Sequence, residues 1–181
     1  YHISFQNDYS STTDPVSGQT LYFLSGKSVT KGVEAESTLL VGGGFAVYLN
    51  GTIGRAKYVD TGLWVQNAPS DTETIGFTYN RGAWNLGFFN KRVGRLYNDN
   101  GAINQAVAID PFNITNLFVN YTLRGSSRLA QSRIRLAVNN LTDSHAITAV
   151  TPASTKSNAP AAGDVLTLMS GRSVSVSLTV G

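Results

Sequence analysis

The chain has 181 residues and a formal net charge of +3, and only 14% of its residues are charged, well below the roughly 25% of soluble domains. The aromatic content of 10% argues against disorder, and the scattered basic residues argue against nucleic-acid binding. The cysteine count of 0 excludes a disulfide-stapled module and a thiolate metal site.

No helical membrane segment is predicted. The chain contains no run of about 18 apolar residues, which a transmembrane helix needs. Its first ten residues also lack the basic and apolar regions of a signal peptide. A membrane span made of strands is not excluded, because its hydropathy signal is weak in each segment.

Apolar and polar residues alternate along most of the chain, which is the period of half-buried β-strands. Helical periodicity is almost absent. The pattern predicts about eight strands: a stump near residues 2–8, followed by residues 20–41, 45–58, 70–80, 84–97, 108–123, 128–141 and 163–181.

Short and long connections alternate between these predicted strands. Tight turns are expected at the glycines between residues 41 and 45, at residues 80–83 and at residues 124–127, whereas residues 9–19, 58–70, 97–108 and 142–163 are long. An up-and-down membrane barrel has short turns on one rim and long loops on the other. The alternation therefore favours such a barrel over a soluble sandwich.

The predicted strand lengths point the same way. Several of the strands have about 14 residues, whereas strands of soluble proteins usually have about 5–6 and a tilted bilayer crossing needs about 9–11. On the strand at 128–141, Ile134, Leu136 and Val138 alternate with Arg133, Arg135 and Ala137. We expect the first set to face lipid and the second to face the lumen.

Four short motifs favour no site. "SGKS" at residues 25–28 lacks the first glycine of a phosphate loop, and "NDNG" at residues 98–101 lacks the later Glu of a calcium loop. Two of the four Asn-x-Thr triplets, at Asn50 and Asn120, lie inside predicted strands. His2 and His145 have no partner in a triad or metal pair. We therefore predict no catalytic residue, no metal site and no cofactor.

Four segments, in order, resemble the C-terminal part of a TonB-dependent outer-membrane receptor, a family that includes siderophore receptors. They span residues 30 to 180, nearly the whole chain. The last two resemble the penultimate strand, which ends in Asn-Leu-x-Asp, and the last strand, which opens with Gly-Arg. The segments are "TKGVEAE" (30–36), "NAPSDTETIGFTY" (67–79), "IRLAVNNLTD" (134–143) and "SGRSVSVSLTV" (170–180).

The resemblance implies an all-β, antiparallel, up-and-down transmembrane β-barrel segment, about eight strands of a 22-strand barrel. It implies that residues 1–181 are the C-terminal portion, without the plug domain and the N-terminal strands. The family's barrels usually end in an aromatic residue, whereas this chain ends at Gly181. With the last strand descending to the periplasm, the long loops lie outside the cell.

The resemblance further implies a transporter of the bacterial outer membrane, and not an enzyme. Its implied partners are outer-membrane lipid, the TonB system acting through the missing plug, and a ferric siderophore or similar iron chelate, with vitamin B12 or an oligosaccharide as alternatives. In or beside the outer loops, Trp64, Arg95 and Tyr97 are candidate substrate contacts. The lipid-facing set is Ile134, Leu136, Val138, Val174, Val176 and Leu178.

Two other architectures remain open at this point. The chain could be a complete eight-stranded outer-membrane barrel that acts as a structural protein or passive pore. It could also be a soluble β-sandwich that binds carbohydrate or another protein. A detergent-solubilised monomer that resists heat unfolding would favour the small barrel, and a monodisperse monomer expressed without detergent would favour the sandwich.

Overall fold

The chain is all-β. The computed structural model describes residues 1–13, 17–99, 106–124, 132–151, 159–160 and 162–180, with the backbone alone for 7–13, 23–25, 99 and 106. Its strands are β1 His2–Thr13, β2 Thr20–Gly42, β3 Phe45–Tyr58, β4 Asp71–Arg81, β5 Trp84–Val93, β6 Leu96–Asp99, β7 Ala106–Ile109, β8 Phe112–Thr122, β9 Arg133–Asn139, β10 Ile147–Thr151, β11 Val165–Leu168 and β12 Ser173–Thr179.

Eight of the strands form one antiparallel sheet in the order β1-β2-β3-β4-β5-β8-β9-β12. Each strand pairs with the next sheet strand along the chain, which is the predicted up-and-down meander. The remaining four strands form two hairpins, β6–β7 between β5 and β8, and β10–β11 between β9 and β12. Tight turns at Gly43–Gly44 and Gly82–Ala83 confirm two predicted short connections. The third was predicted at residues 124–127, of which 125–127 lie outside the described residues.

Cross-strand pairing gathers the apolar residues on one face of the sheet, hereafter the apolar face. One row of residues that lie directly opposite each other on adjacent strands crosses seven strands and contains no polar side chain. Its members are Leu39, Val47, Phe77, Phe88, Leu117, Val138 and Val174. At the short-turn end, Phe45 contacts Tyr79 and Trp84 contacts Tyr121, each with ring centroids 4.6 Å apart. This face therefore combines an aliphatic band with an aromatic margin.

The opposite, polar face carries Asn, Thr, Ser and Arg, and also aromatic rings. Phe89 lies over Gly76, Phe118 lies over Gly87, and the two rings stack with centroids 6.3 Å apart. The guanidinium of Arg135 lies 6.0 Å from the centre of the Phe118 ring. Arg135 is thus on the polar face, opposite to Leu136, as the alternation predicts.

The hydrophobic core lies in the long loops and not on the sheet. Of the seven buried hydrophobic side chains among the described residues, five form one cluster: Leu96, Val107, Ile109, Phe112 and Val150. They come from the two hairpins and the start of β8. The Nδ2 of Asn98 also donates to the carbonyl of Val150 across 3.1 Å, which ties β6 to β10. The hairpins therefore stabilise each other.

Several predicted strand boundaries were wrong. The stump near residues 2–8 is the 12-residue strand β1, paired with the distal half of β2. The strand at 84–97 ends at Val93, and the chain from Leu96 pairs instead with β7, in a separate hairpin. The predicted segments 108–123 and 163–181 each divide, with β7 and β11 belonging to the loop hairpins.

Neither alternative architecture matches the described part of the chain. β1 and β12 are the two edges of the sheet and do not pair with each other, so the eight strands do not close into a small barrel. No second large sheet covers the apolar face in the described residues, as a sandwich would require. The sheet is an open, antiparallel barrel segment.

Candidate substrate-binding rim

The loop between β3 and β4 folds back onto the sheet instead of extending away from it. The Val65 N–H donates to the carbonyl of Ala56 (3.0 Å), and Trp64 forms a bridge with Lys57. Further on, the Asn67 N–H donates to the carbonyl of Tyr97 (3.0 Å). Asn67 has φ of 58°, a left-handed conformation that asparagine tolerates well. The loop is therefore held beside the start of β6.

This arrangement brings Trp64 and Tyr97 together. Their rings stack, with centroids 5.3 Å apart and planes 12° from parallel. The Nζ of Lys57 lies 5.9 Å from the centre of the Trp64 ring, within cation–π range. The result is a flat aromatic surface beside a positive charge, which suits a planar or anionic ligand.

Arg95 lies two residues before Tyr97, but its side chain pairs with Asp110. Its Nη2 is 3.8 Å from the Asp110 Oδ1, and the side chains are 52% and 93% exposed. An ion pair this exposed contributes little to stability, because water screens it. Arg95 is therefore able to exchange this partner for an anionic ligand at small cost.

The structure thus brings two of the three predicted substrate contacts into van der Waals reach and places the third beside them, paired with Asp110. Their role in binding stays a prediction. Sequence reasoning missed Lys57. Its position at the end of an alternating strand gave no sign of its neighbour, since the contact depends on how the loop at 59–70 folds.

A polar cluster fixes the base of this rim. Arg92 forms an ion pair with Asp71 and approaches the Glu73 carboxylate at 3.5 Å. The Ser70 hydroxyl donates to the other oxygen of Asp71 (2.7 Å). The Ser70 N–H donates to the carbonyl of Arg95 (3.1 Å). The start of β4 is therefore tied to the chain on both sides of Gly94.

The Asn-Leu-x-Asp segment forms a clamp between the end of β9 and the start of β12. Asn140 is buried, with φ of 50°, and its Nδ2 donates to the carbonyls of Ser144 (2.8 Å) and Ser170 (2.9 Å). Its Oδ1 accepts from the Ser144 N–H (2.9 Å). Asp143 accepts the Arg172 N–H (2.7 Å).

This hydrogen bond has an electrostatic consequence. The N–H of Arg172 holds the pKa of the Asp143 carboxyl below its ordinary value, and the charges of His145 and Arg172 act in the same direction, while desolvation opposes them. Sequence reasoning treated this segment only as a family motif. Its structural role in tying β9 to β12 could not be read from the spacing.

The six residues predicted to face lipid all lie on the apolar face. Ile134, Val174, Val176 and Leu178 are exposed, Leu136 is half-buried, and Val138 is buried between Leu117 and Val174 in the seven-strand row. Their contact with lipid remains a prediction.

The described residues hold no group of three or more His, Asp or Glu side chains placed to bind a metal ion. Within the same ranges, no helix is long and apolar enough to cross a membrane.

Comparison with known proteins gives one family. Residues 1–141 match the family model described as TonB dependent receptor-like, beta-barrel. That family is a receptor and transporter family, not an enzyme family. No curated protein matches the sequence.

Three solved structures illustrate the likeness in fold. FpvA of Pseudomonas aeruginosa is 18% identical with a TM-score of 0.66, over 98% of this chain and 23% of that one. The ferric citrate transporter FecA is 19% identical with a TM-score of 0.69, over 96% and 26%. The ferric yersiniabactin uptake receptor FyuA of Yersinia pestis is 20% identical with a TM-score of 0.66, over 86% and 24%. The chain spans about a quarter of the length of each.

Proposed function

Because the chain belongs to the TonB-dependent receptor-like β-barrel family, we propose that it forms part of an outer-membrane transporter for a ferric siderophore or a similar iron chelate. Energy would come from the TonB system through a plug domain. Residues 1–181 would be the C-terminal portion of the barrel. Structural neighbours named as ferric-chelate receptors and transporters support this cargo.

The observation that carries the proposal is the separation of the apolar face from the hydrophobic core. Large apolar side chains such as Val176 (71% exposed) and Val174 (62%) lie open along the sheet, while the buried core lies in the loops. In water such a face would associate or aggregate. Facing lipid, it needs no cover, and the polar face lines the lumen.

The strand lengths indicate which end of the sheet projects from the membrane. β2 has 23 residues, about 75 Å at roughly 3.3 Å per residue, whereas the hydrocarbon core is about 30 Å thick. Even tilted, β2 must project well beyond the bilayer. The short turns lie at the other end of the sheet from this projecting part of β2. Membrane barrels have their short turns in the periplasm. The paired hairpins and the stacked Trp64–Tyr97 rings are then extracellular and can capture substrate.

Spin labels on adjacent residues test the lipid-facing assignment. This chain has 0 cysteines, so single cysteines can be introduced without replacing others in it. In the complete receptor in vesicles, a label at Leu136→Cys should be relaxed strongly by dissolved oxygen, which concentrates in lipid. A label at Ala137→Cys, on the opposite face, should not. Val176→Cys and Ser175→Cys form a second matched pair. Equal oxygen accessibility within both pairs would contradict the membrane assignment.

Uptake measurements test the transport function separately. Deleting the gene should abolish uptake of at least one radioiron-labelled chelate from a panel, and the wild-type gene should restore it. Trp64→Ala should raise the half-saturating concentration by up to about tenfold, since an aromatic contact is worth about 0.5–1.5 kcal/mol. Trp84→Phe, at the short-turn margin, is the control and should leave the half-saturating concentration unchanged. If deletion changes no chelate's uptake, the proposed cargo is wrong even where the spin labels report lipid.

A further inference from the structure

A row of basic side chains crosses the distal part of the apolar face, beyond its apolar band. His2 pairs with Lys31 across β1 and β2, and Lys31 pairs with Arg55 across β2 and β3. Alternation then places Lys57, two residues beyond Arg55, on the same face. On β3 this face reads Phe45, Val47, Leu49, Gly51, Ile53, Arg55 and Lys57, so the charges start where the apolar residues stop.

The two lysines and the arginine of this row have no counter-charge among the described residues. No described carboxylate forms an ion pair with Lys31, Arg55 or Lys57, and the nearest acid on the neighbouring strand, Asp71, is paired with Arg92. Like charges directly opposite each other on antiparallel strands are destabilising, because their Cβ atoms are only about 5 Å apart. A surface with this arrangement is stabilised by an external anion.

The neighbouring residues indicate which kind of anion. Val33 and Ile53, immediately below the cations on the same strands, are 73% and 70% exposed. A groove of about 560 Å³ lies further down the face, where Ala35 and Gly51 leave room beside Glu73. Binding of a free anion would not explain why exposed apolar residues lie beside the basic ones. A lipid with an anionic headgroup fits both parts, with its headgroup at the cations and its acyl chains against the band.

We infer that Lys31 and Arg55, with Lys57 beside them, bind the phosphate headgroup of a lipid in the leaflet nearest the long loops. The inference rests on the proposed membrane location of the sheet. Lys57 also contacts Trp64 at 5.9 Å, so the bound headgroup would lie next to the substrate-binding rim. Lipid binding at this site would steady the loop at 59–70.

The test uses the complete receptor reconstituted in vesicles of equimolar phosphatidylcholine and phosphatidic acid. After detergent extraction, the lipids that stay bound are counted by mass spectrometry. Wild type should retain phosphatidic acid in excess over phosphatidylcholine. In the double variant Lys31→Gln, Arg55→Gln, the enrichment should fall by a factor of about five for each cation removed. The charge-conserving exchange Lys31→Arg, Arg55→Lys should retain it.

The matched control removes two cations from the polar face, Lys91→Gln with Arg133→Gln, and should leave the enrichment unchanged. Equal loss in this control, no loss in the double variant, or no enrichment in wild type would overturn the inference. Wild type that fails to insert even into pure phosphatidylcholine vesicles would instead overturn the membrane location. The double variant is expected to fold, since it relieves repulsion between like charges.

Discussion

Asn140 uses every polar atom of its side chain, and this explains why asparagine stands there. A left-handed backbone is costly for most residues with a Cβ, and asparagine is among the few that adopt it readily. The same side chain satisfies two carbonyls and one N–H that would otherwise be left unpaired. Its backbone N–H also donates to Asn116 Oδ1 (3.0 Å), so the clamp extends to β8.

Replacing Asn140 with Ala should therefore destabilise the receptor by about 2–4 kcal/mol, since each lost hydrogen bond contributes about 0.5–1.5 kcal/mol and the backbone becomes strained. Asn139→Ala is the matched control, because its amide makes one exposed contact, to the Ser173 hydroxyl at 3.3 Å. It should cost less than about 1 kcal/mol. Urea unfolding in lipid vesicles measures both. Equal costs would show that the clamp does not form.

Asp143 gives a pH dependence of defined sign. Its pKa is lowered from 3.8 mainly by the Arg172 N–H, so it binds a proton less readily folded than unfolded. Its contribution is complete above pH 3.8 and is lost as the pH falls through the lowered value. Hydrogen exchange at the Arg172 amide should accelerate in that acidic range. Asp143→Asn should remove this pH dependence, and an unchanged profile in that variant would contradict the assignment.

On β4 and β5, Gly76 and Gly87 each leave room for an aromatic ring to lie against the backbone. A Cβ added to Gly87 would overlap the Phe118 ring and lie 3.0 Å from Phe89. Phe118 is held in place by Phe89 and Arg135, so it cannot move freely. Period-two patterning cannot reveal this, because the ring and the glycine lie on different strands.

Gly87→Ala should consequently cost about 1–3 kcal/mol, as overpacking usually does. Gly51→Ala is the control on the neighbouring part of the sheet, because its nearest outside atom would be 4.0 Å away. That variant should be neutral or stabilise by up to about 1 kcal/mol. Unfolding free energies in vesicles distinguish the two, and a neutral Gly87→Ala would mean that Phe118 repacks.

The strands with strong alternation were predictable and the loop hairpins were not. β3 runs from Phe45 to Tyr58, the predicted bounds, because an alternating run follows a glycine turn. β6, β7 and β11 have four residues each and lie in loops rich in Gly, Asn and Asp. Such short strands form because they pack on one another, which is tertiary information. The Trp64–Tyr97 stack likewise joins residues 33 positions apart.

In the described part of the chain, the sheet has two edges without a partner strand, β1 and β12. Unpaired strand edges bind other strands readily and are not tolerated in lipid. We therefore expect this 181-residue chain, produced by itself in detergent, to associate into oligomers or aggregates. Within the complete receptor, the same residues should be found in a monodisperse barrel. Analytical ultracentrifugation compares the two, and a stable monomer of the isolated chain would contradict the prediction.

The cluster of Leu96, Val107, Ile109, Phe112 and Val150 has a consequence for how such a receptor diversifies. The side chains that hold the two hairpins together are not those of the seven-strand apolar row. Substitutions in the hairpins can therefore change the surface of the long loops without altering the packing of the seven-strand row. The hairpin pair could thus be exchanged as a unit, while the sheet that carries it keeps its own pairing.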